Sequence, residues 1–162
     1  MFPSHTQLVD QLVRMVDIRL LDPLEILLDG DDAVQRLRTL VHARAGDWAR
    51  QMLDGHDHTA VATMIRVVST LFPGDGDRPF DPPVDWWRTP MGQVVARRVG
   101  HPTAESVPYP VAGAMLGITR QGVHDLVTRG KLARHPQGGV VPGSIRDRLR
   151  KEGTVRHAVP GT

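Results

Sequence analysis

The 162-residue chain has no cysteine, only two lysines among its twenty basic residues, and 4% aromatic residues. The absence of cysteine excludes disulfides and thiolate metal sites, and it fits a reducing compartment. No apolar run approaches the roughly 18 residues of a membrane span. The first residues lack the basic-then-apolar order of a signal peptide. We therefore expect a cytoplasmic protein.

Patterns typical of enzymes are also missing. The sequence offers no nucleophile with a paired base, no carboxylate pair in a convincing context and no cofactor fingerprint. We expect neither catalysis nor a cofactor.

Three short patterns superficially suggest ion or phosphate sites. His56 and His58 have no third ligand at a useful spacing, so we expect an exposed loop at a helix start and no metal site. Residues 29–32 and 75–77 do not continue into a twelve-residue calcium loop with its closing glutamate, so we interpret both as turns. Residues 138–139 lack a following phosphate-loop lysine, and they predict a hairpin turn.

Charge is divided unevenly along the chain. Residues 1–96 carry nine Arg against fourteen acidic residues, a net charge of −5. Residues 97–162 carry nine Arg and two Lys against four acidic residues, a net charge of +7. A basic C-terminal third attracts phosphate groups, whereas the acidic remainder is better suited to protein contacts.

The first 72 residues are predicted to form four helices and no strand, because apolar residues recur at spacings of three and four. Ser4 or Thr6 caps a first helix reaching about residue 20, a second covers residues 24–28, and Asp31 or Asp32 caps a third over residues 33–53. The fourth begins at Asp57 and stops before Pro73. The predicted inward residues are Leu8, Leu12 and Val16; Val34, Leu37, Val41, Ala45, Trp48 and Met52; and Val61, Met64, Ile65, Val68 and Leu71.

An acidic helical unit of this size is either a dimerisation module or a structural partner of the rest of the chain. We favour a homodimer formed through this domain. The alternative is that the apolar stripes fill one monomeric core.

Residues 73–108 are predicted to be a connection rich in proline and glycine. Residues 73–83 contain four prolines and two glycines and cannot form regular structure. Trp86 and Trp87 are expected to anchor a core or an interface. A short helix is predicted over residues 91–99.

Residues 109–150 are predicted to form two short helices, a glycine-tipped hairpin and a third short helix. The first helix covers residues 111–116 and ends at Gly117, since glycine enters the left-handed conformation at little steric cost. Thr119 is a good N-cap for a second helix over residues 120–129, which ends at Gly130. Two helices joined by so short a turn are typical of a helix-turn-helix, whose second helix enters the DNA major groove.

The details resemble the winged helix-turn-helix of MerR-type regulators and phage excisionases. The matching stretches are Leu116-Gly117-Ile118-Thr119-Arg120-Gln121-Gly122-Val123 and Thr128-Arg129-Gly130-Lys131-Leu132. The resemblance implies a wing over residues 132–141 that turns at 137–139, and a closing helix capped by Ser144. Two features depart from the family: the first helix lacks its usual acidic residue, and Gly122 lies inside the recognition helix.

The resemblance also implies which residues touch DNA. Arg120 and Gln121 would read base edges, because Arg can pair with guanine and Gln with adenine through two hydrogen bonds each. Thr119 would meet a phosphate at the helix N-terminus, and His124 would reach a base or phosphate one turn later. The expected contacts to phosphate or the adjacent minor groove are Arg129, Lys131, Arg134, His135 and Gln137.

We therefore expect a mainly α protein with an N-terminal helical bundle (residues 1–72), a connection (73–108), a C-terminal winged helix-turn-helix with a small β-hairpin wing (109–152) and a loose tail (153–162). The expected function is sequence-specific binding of double-stranded DNA as a nucleoid-associated transcription regulator. One alternative is an excisionase-like, partition or replication accessory protein. Another is an adaptor that binds a protein partner and no DNA.

Overall fold

The protein is mainly α-helical, and its chain separates into two compact units. The computed structural model describes residues 2–73 and 80–157. The first unit comprises residues 1–77 and the second residues 78–162. Within the described residues, β pairing is confined to two isolated antiparallel bridges. None of the helices in these ranges is long and apolar enough to cross a membrane. The expected mainly α class is confirmed.

Four α-helices form the first unit: α1 (His5–Val16), α2 (Asp22–Leu27), α3 (Asp32–Asp54) and α4 (Asp57–Leu71). Ser4 caps α1 with a capping box, because its hydroxyl accepts the Gln7 N–H while the Gln7 side chain accepts the Ser4 N–H. Asp31 caps α3 by accepting the Ala33 N–H at 2.7 Å. The four predicted helices are confirmed.

The predicted gap between the first two helices is wrong, because a π-helical turn over Asp17–Leu21 joins α1 to α2 without a break. Charged groups hold this turn and α2 against α3. The Arg38 guanidinium donates to Asp17 at 2.7 Å, to Asp22 at 3.1 Å and to Glu25 at 2.9 Å. His42 also lies 2.7 Å from the Asp17 carboxylate.

The core of the first unit contains most of the predicted inward residues, but two of them are exposed. Leu8, Leu12 and Val16 of α1 are buried, as are Val34, Ala45 and Met52 of α3 and Met64, Val68 and Leu71 of α4. Leu37 is 45% exposed and Ile65 is 50% exposed, so these two assignments are wrong. At 100° per residue, Leu37 lies about 60° to one side of the line through Val34 and Met52, and Ile65 lies about 100° from Met64. Neither side is covered within the unit.

The second unit begins with an aromatic cluster. A 3₁₀ turn over Val84–Arg88 precedes α5 (Pro90–Arg98), which is the short helix predicted for this segment. The Trp87 side chain is buried and packs edge-on against Trp86, with ring centroids 5.2 Å apart, and Phe80 and His101 complete the cluster. Trp87 is therefore a core residue of this unit.

The remaining helices are α6 (Tyr109–Leu116), α7 (Arg120–Thr128) and α8 (Pro142–His157). α5 and α6 both pack against α8. The Arg150 guanidinium of α8 donates to the carbonyl groups of Arg97 and Arg98 at 3.1 and 2.9 Å, which satisfies the C-terminal end of α5.

Two predictions about α8 are wrong. The helix begins at Pro142, and the Ser144 hydroxyl accepts the Ala133 N–H and donates to the Val141 carbonyl oxygen where a cap was expected. Proline suits the first helical position because it has no N–H to satisfy. Residues 153–157 continue the helix where a loose tail was expected, since Arg148 pairs with Glu152 one turn apart and Gly153 packs against Arg97. Residues 158–162 of that tail, and residues 74–79 of the predicted connection, lie outside the described residues.

Candidate nucleic-acid interface

A three-residue turn joins α6 to α7. Gly117 adopts the left-handed conformation at φ 71°, and the Ile118 N–H donates to the Gly113 carbonyl at 2.9 Å. Gly113 allows this close approach, because an added Cβ would lie 2.8 Å from the Ile118 carbonyl oxygen. Thr119 then caps α7 by accepting the Gly122 N–H at 3.0 Å. Both helix-end residues predicted from the sequence, Gly117 and Thr119, are confirmed.

One face of α7 is buried and the opposite face is polar and exposed. Val123 is fully buried, and Leu126 and Val127 are partly buried beside it. The exposed side chains are Arg120, Gln121, His124, Asp125 and Thr128. Gln121, His124 or Asp125, and Thr128 recur at spacings of three and four, so they follow one line along the helix. This face can offer hydrogen-bond donors and acceptors to a groove.

Asp125 is a residue of this face that the sequence interpretation did not include. Its carboxylate accepts the Gln121 amide N–H at 3.2 Å. This contact restricts the Gln121 side chain, and it leaves the amide oxygen and the second N–H available. The i, i+4 spacing of the two residues was the signal that could have found it. A carboxylate here also disfavours close approach of a phosphate to the middle of α7.

The chain leaves α7 through a tight turn that exposes two cations. Gly130 adopts φ 69°, and the N–H groups of Gly130 and Lys131 donate to the Val127 and Leu126 carbonyls. Leu132 then enters the core. Arg129 and Lys131 remain exposed on either side of Gly130.

The predicted wing, residues 132–141, forms a hairpin loop in place of two strands. Arg134 and Val140 form an antiparallel bridge, and the His135 N–H donates to the Gly139 carbonyl at 2.9 Å. The turn lies where it was predicted, since Gly138 and Gly139 both have positive φ. A β-hairpin with strand-length pairing is not present in the described residues, because Pro136 cannot donate a backbone hydrogen bond and α8 begins two residues after Val140.

Val140 also holds the hairpin loop against the segment before α6. It exchanges two backbone hydrogen bonds with Val107, at 3.0 and 2.9 Å. The Ser106 hydroxyl donates to the Gly138 carbonyl at 2.5 Å. Within this anchored loop, Arg134 and Gln137 are exposed, whereas His135 is half-buried and accepts the Gln137 N–H on its ring Nδ1.

Two groups of basic side chains can be distinguished in the second unit. Arg146, Arg148 and Arg150 of α8 are engaged with Asp147, Glu152 and the end of α5. By contrast, no acidic side chain in the described part of the chain forms an ion pair with Arg120, Arg129, Lys131 or Arg134. These four cations lie on α7, just after it and in the hairpin loop.

The second unit as a whole is basic. Residues 78–162 carry eleven Arg and two Lys against six acidic residues, a net charge of +7. Near α5, burial and then repulsion from Arg98 and Arg150 lower the pKa of Arg97. Such a surface attracts polyanions at long range.

No protein-family model, curated protein or solved structure matches this chain. Its chemistry must therefore be inferred from its own residues. The described residues contain no group of three or more His, Asp or Glu side chains arranged to hold a metal ion. The exposed face of α7 offers amide, guanidinium and imidazole groups, and the three cations that follow the helix, Arg129, Lys131 and Arg134, can neutralise phosphate charge.

Proposed function

We propose that this protein binds double-stranded DNA in a sequence-dependent manner and acts as a transcription regulator. Residues 109–152 would serve as a winged helix-turn-helix in which α7 enters the major groove and the hairpin loop acts as a short wing. The observation that carries the proposal is the exposed polar face of α7, flanked by Arg129, Lys131 and Arg134.

The nine residues expected to contact DNA have distinct roles in this proposal. Arg120 and Gln121 in the first turn of α7 read base edges, and His124 reaches a base or phosphate one turn later. Thr119 and the N-terminal end of α7 meet a phosphate. The remaining contacts, to phosphate or the minor groove, come from Arg129, Lys131, Arg134, His135 and Gln137.

One small module of this kind buries little DNA surface, so two copies are expected on each target site. In this two-copy arrangement the two units of each chain have different roles. The basic second unit contacts DNA. The first unit carries seven Arg against twelve acidic residues, a net charge of −5, and is repelled by DNA.

A selection from randomised duplexes tests this proposal. The full-length chain is incubated with the pool at two salt concentrations, and the bound fraction is sequenced. An inverted repeat with half-sites near 10 base pairs apart, or a multiple of that spacing, is the expected result. Tandem repeats would indicate an excisionase-like or partition protein instead. Binding that enriches no sequence and disappears with salt would indicate phosphate contacts alone.

A matched pair of double variants assigns the binding to α7. Arg120→Ala with Gln121→Ala removes the base-reading pair and should abolish enrichment of the selected sequence. The control is Gln35→Ala with Arg36→Ala, which removes an exposed Gln–Arg pair from α3 in the first unit. Enrichment unaffected by the α7 variant would refute the recognition role of α7. No retention of DNA by the wild-type chain even at low salt would favour the adaptor function.

A further inference from the structure

The second helix of the first unit, α2, carries three large aliphatic side chains, Leu24, Ile26 and Leu27, but buries none of its residues. Ile26 and Leu27 are each 77% exposed, and Leu24 and Leu28 are also exposed. Large aliphatic side chains rarely remain in water as a contiguous group unless another surface covers them. The Arg38 contacts described above hold α2 in this exposed position.

A groove in the same unit begins beside α2. Its first part is an apolar hollow of about 330 Å³, and the residues that define its walls are Leu20, Leu24, Val41, Trp48, Val67 and Leu71. A second hollow of about 400 Å³ lies against it and shares Trp48 and Arg66. This second part is cationic, because Arg44, Arg50 and Arg66 line it with a single carboxylate, that of Asp47, which forms an ion pair with Arg50.

The chain carries a segment whose chemistry is complementary to this groove. Ile26, Leu27 and Leu28 are followed at once by Asp29-Gly30-Asp31-Asp32, the corner between α2 and α3. An aliphatic helix end followed by three carboxylates fits a groove that is apolar at one end and lined by three guanidinium groups at the other. The corner cannot reach the far end of its own groove, since it lies at the opposite end of α3.

The position of these groups along α3 is symmetric about Val41. Asp32 precedes Val41 by nine residues and Arg50 follows it by nine, which is about 13.5 Å in each direction at 1.5 Å per residue. Val41 lines the groove. Asp32 and Arg50 are 18 residues apart, which is five full turns, so both lie along one side of α3. Two copies related by a two-fold axis level with Val41, with their α3 helices antiparallel, would bring the acidic corner of each level with the cationic end of the other. A two-fold interface needs this kind of self-complementarity.

We propose that a second copy of this chain covers the groove, with α2 and the 29–32 corner of each copy lying against the groove of the other. The interface is isologous, and both of its complementary parts come from the first unit. This proposal goes beyond DNA binding and does not depend on it, because the dimer forms in the absence of DNA.

The test is the mass of the full-length chain in solution, measured without DNA by sedimentation equilibrium over a range of concentrations. The expected mass is twice the 17.9 kDa of one chain. Leu27→Asp should raise the dissociation constant at least about a hundredfold, because the buried leucine occurs twice in a two-fold dimer. Ile65→Asp, which alters an exposed apolar residue of α4 that does not line the groove, is the control and should leave the dissociation constant unchanged.

A charge exchange distinguishes this arrangement from any other dimer. Asp32→Arg and Arg50→Glu should each weaken the dimer by about tenfold, because each change places like charges together at two symmetric positions. The two changes combined in one chain should restore the affinity. Circular dichroism would establish that each variant retains its helices.

Three results would overturn the proposal: a wild-type mass of 17.9 kDa at every concentration, a dimer indifferent to Leu27→Asp, or a double charge variant no tighter than the single variants. A monomeric chain that still selects a DNA sequence would refute the dimer surface and leave the DNA-binding proposal standing. A dimer that retains no DNA would support the dimer surface and refute the DNA-binding proposal.

Discussion

Replacing Gly92 by alanine should destabilise the second unit strongly, although alanine is the better helix former. Gly92 lies in the first turn of α5, against the 3₁₀ turn that carries the two tryptophans. An added Cβ would lie 2.6 Å from the Trp87 Cα and even closer to the Trp86 carbonyl oxygen. Ordinary contacts between carbon atoms are about 3.5–4.0 Å, so one backbone segment would have to move by about 1 Å.

The hydrogen bonds around the turn resist that movement. The Thr89 hydroxyl donates to the Trp86 carbonyl at 2.6 Å, and the Gln93 amide donates to the Trp87 carbonyl at 2.6 Å. Over-packing costs about 1–3 kcal/mol, and disturbing these bonds adds roughly 1 kcal/mol each. Alanine recovers about 1 kcal/mol of helix propensity. The free energy of unfolding should therefore fall by about 2–4 kcal/mol, which lowers the melting temperature by about 8 °C or more for a unit of this size.

Tryptophan fluorescence can follow the second unit alone. The chain has three tryptophans, and only Trp48 belongs to the first unit. In a Trp48→Phe background, emission during denaturant unfolding reports on Trp86 and Trp87. Because the two units can unfold separately, a signal restricted to one unit is needed to extract a free energy.

The same substitution at Gly122 is the matched control. Gly122 is also helical and in the same unit, but an added Cβ would meet only ordinary contacts at 3.4 Å or more. Gly122→Ala should therefore stabilise the unit by up to about 1 kcal/mol. A Gly92→Ala variant as stable as the wild type would show that the packing between α5 and the 3₁₀ turn is looser than described.

Three further predictions concern charge, pH and capping. Lys131→Ala should make the slope of log affinity for DNA against log salt less steep by about 0.9 per bound copy, measured by fluorescence anisotropy; an unchanged slope would mean that Lys131 meets no phosphate. Burial lowers the pKa of His101, and its neutral ring accepts the N–H groups of Thr103 and Ala104. As the pH falls, His101 is protonated in the unfolded chain at a higher pH than in the folded unit, so the second unit should lose stability below about pH 6.5. His101→Gln should remove that part of the pH dependence of the free energy of unfolding, measured in denaturant titrations. Ser4→Ala should cost about 1 kcal/mol in the first unit, measured by Trp48 fluorescence, and no loss would mean that the capping box frays in solution.

Local chemistry explains which parts of the fold could be predicted from the sequence. The caps at Ser4, Asp31 and Thr119 were predictable because each supplies a short polar side chain just before a segment whose apolar residues recur at helical spacing. The turn after α6 was predictable because Gly117 offers the left-handed conformation. These features depend on residues within a few positions of each other.

Features that depend on distant residues could not be predicted. Periodicity placed Leu37 and Ile65 on apolar stripes, but only the packing of whole helices decides which edge of a stripe is covered. The continuation of α8 past residue 150 depends on contacts with α5, including those of Arg97. In the candidate interface, Arg120, Gln121 and His124 were expected from the family resemblance and Asp125 was missed, whereas the engagement of Arg146 and Arg148 elsewhere required the structure.

The π-helical turn has a consequence for the length of the first helical rod. Such a turn takes up about one residue more than an α turn, so the interval from Val16 to Leu21 absorbs a surplus residue, and Leu24 and Leu28 return to the line of Leu8 and Leu12. One apolar stripe thus runs along the whole rod, about 34 Å at 1.5 Å per residue. Only the first part of this stripe packs in the core of its own unit, and the part on α2 extends beyond that core. Deleting a single residue from the turn would rotate α2 by about 100° about the helix axis. The extra residue in the turn therefore sets the direction in which this protein presents its exposed apolar surface.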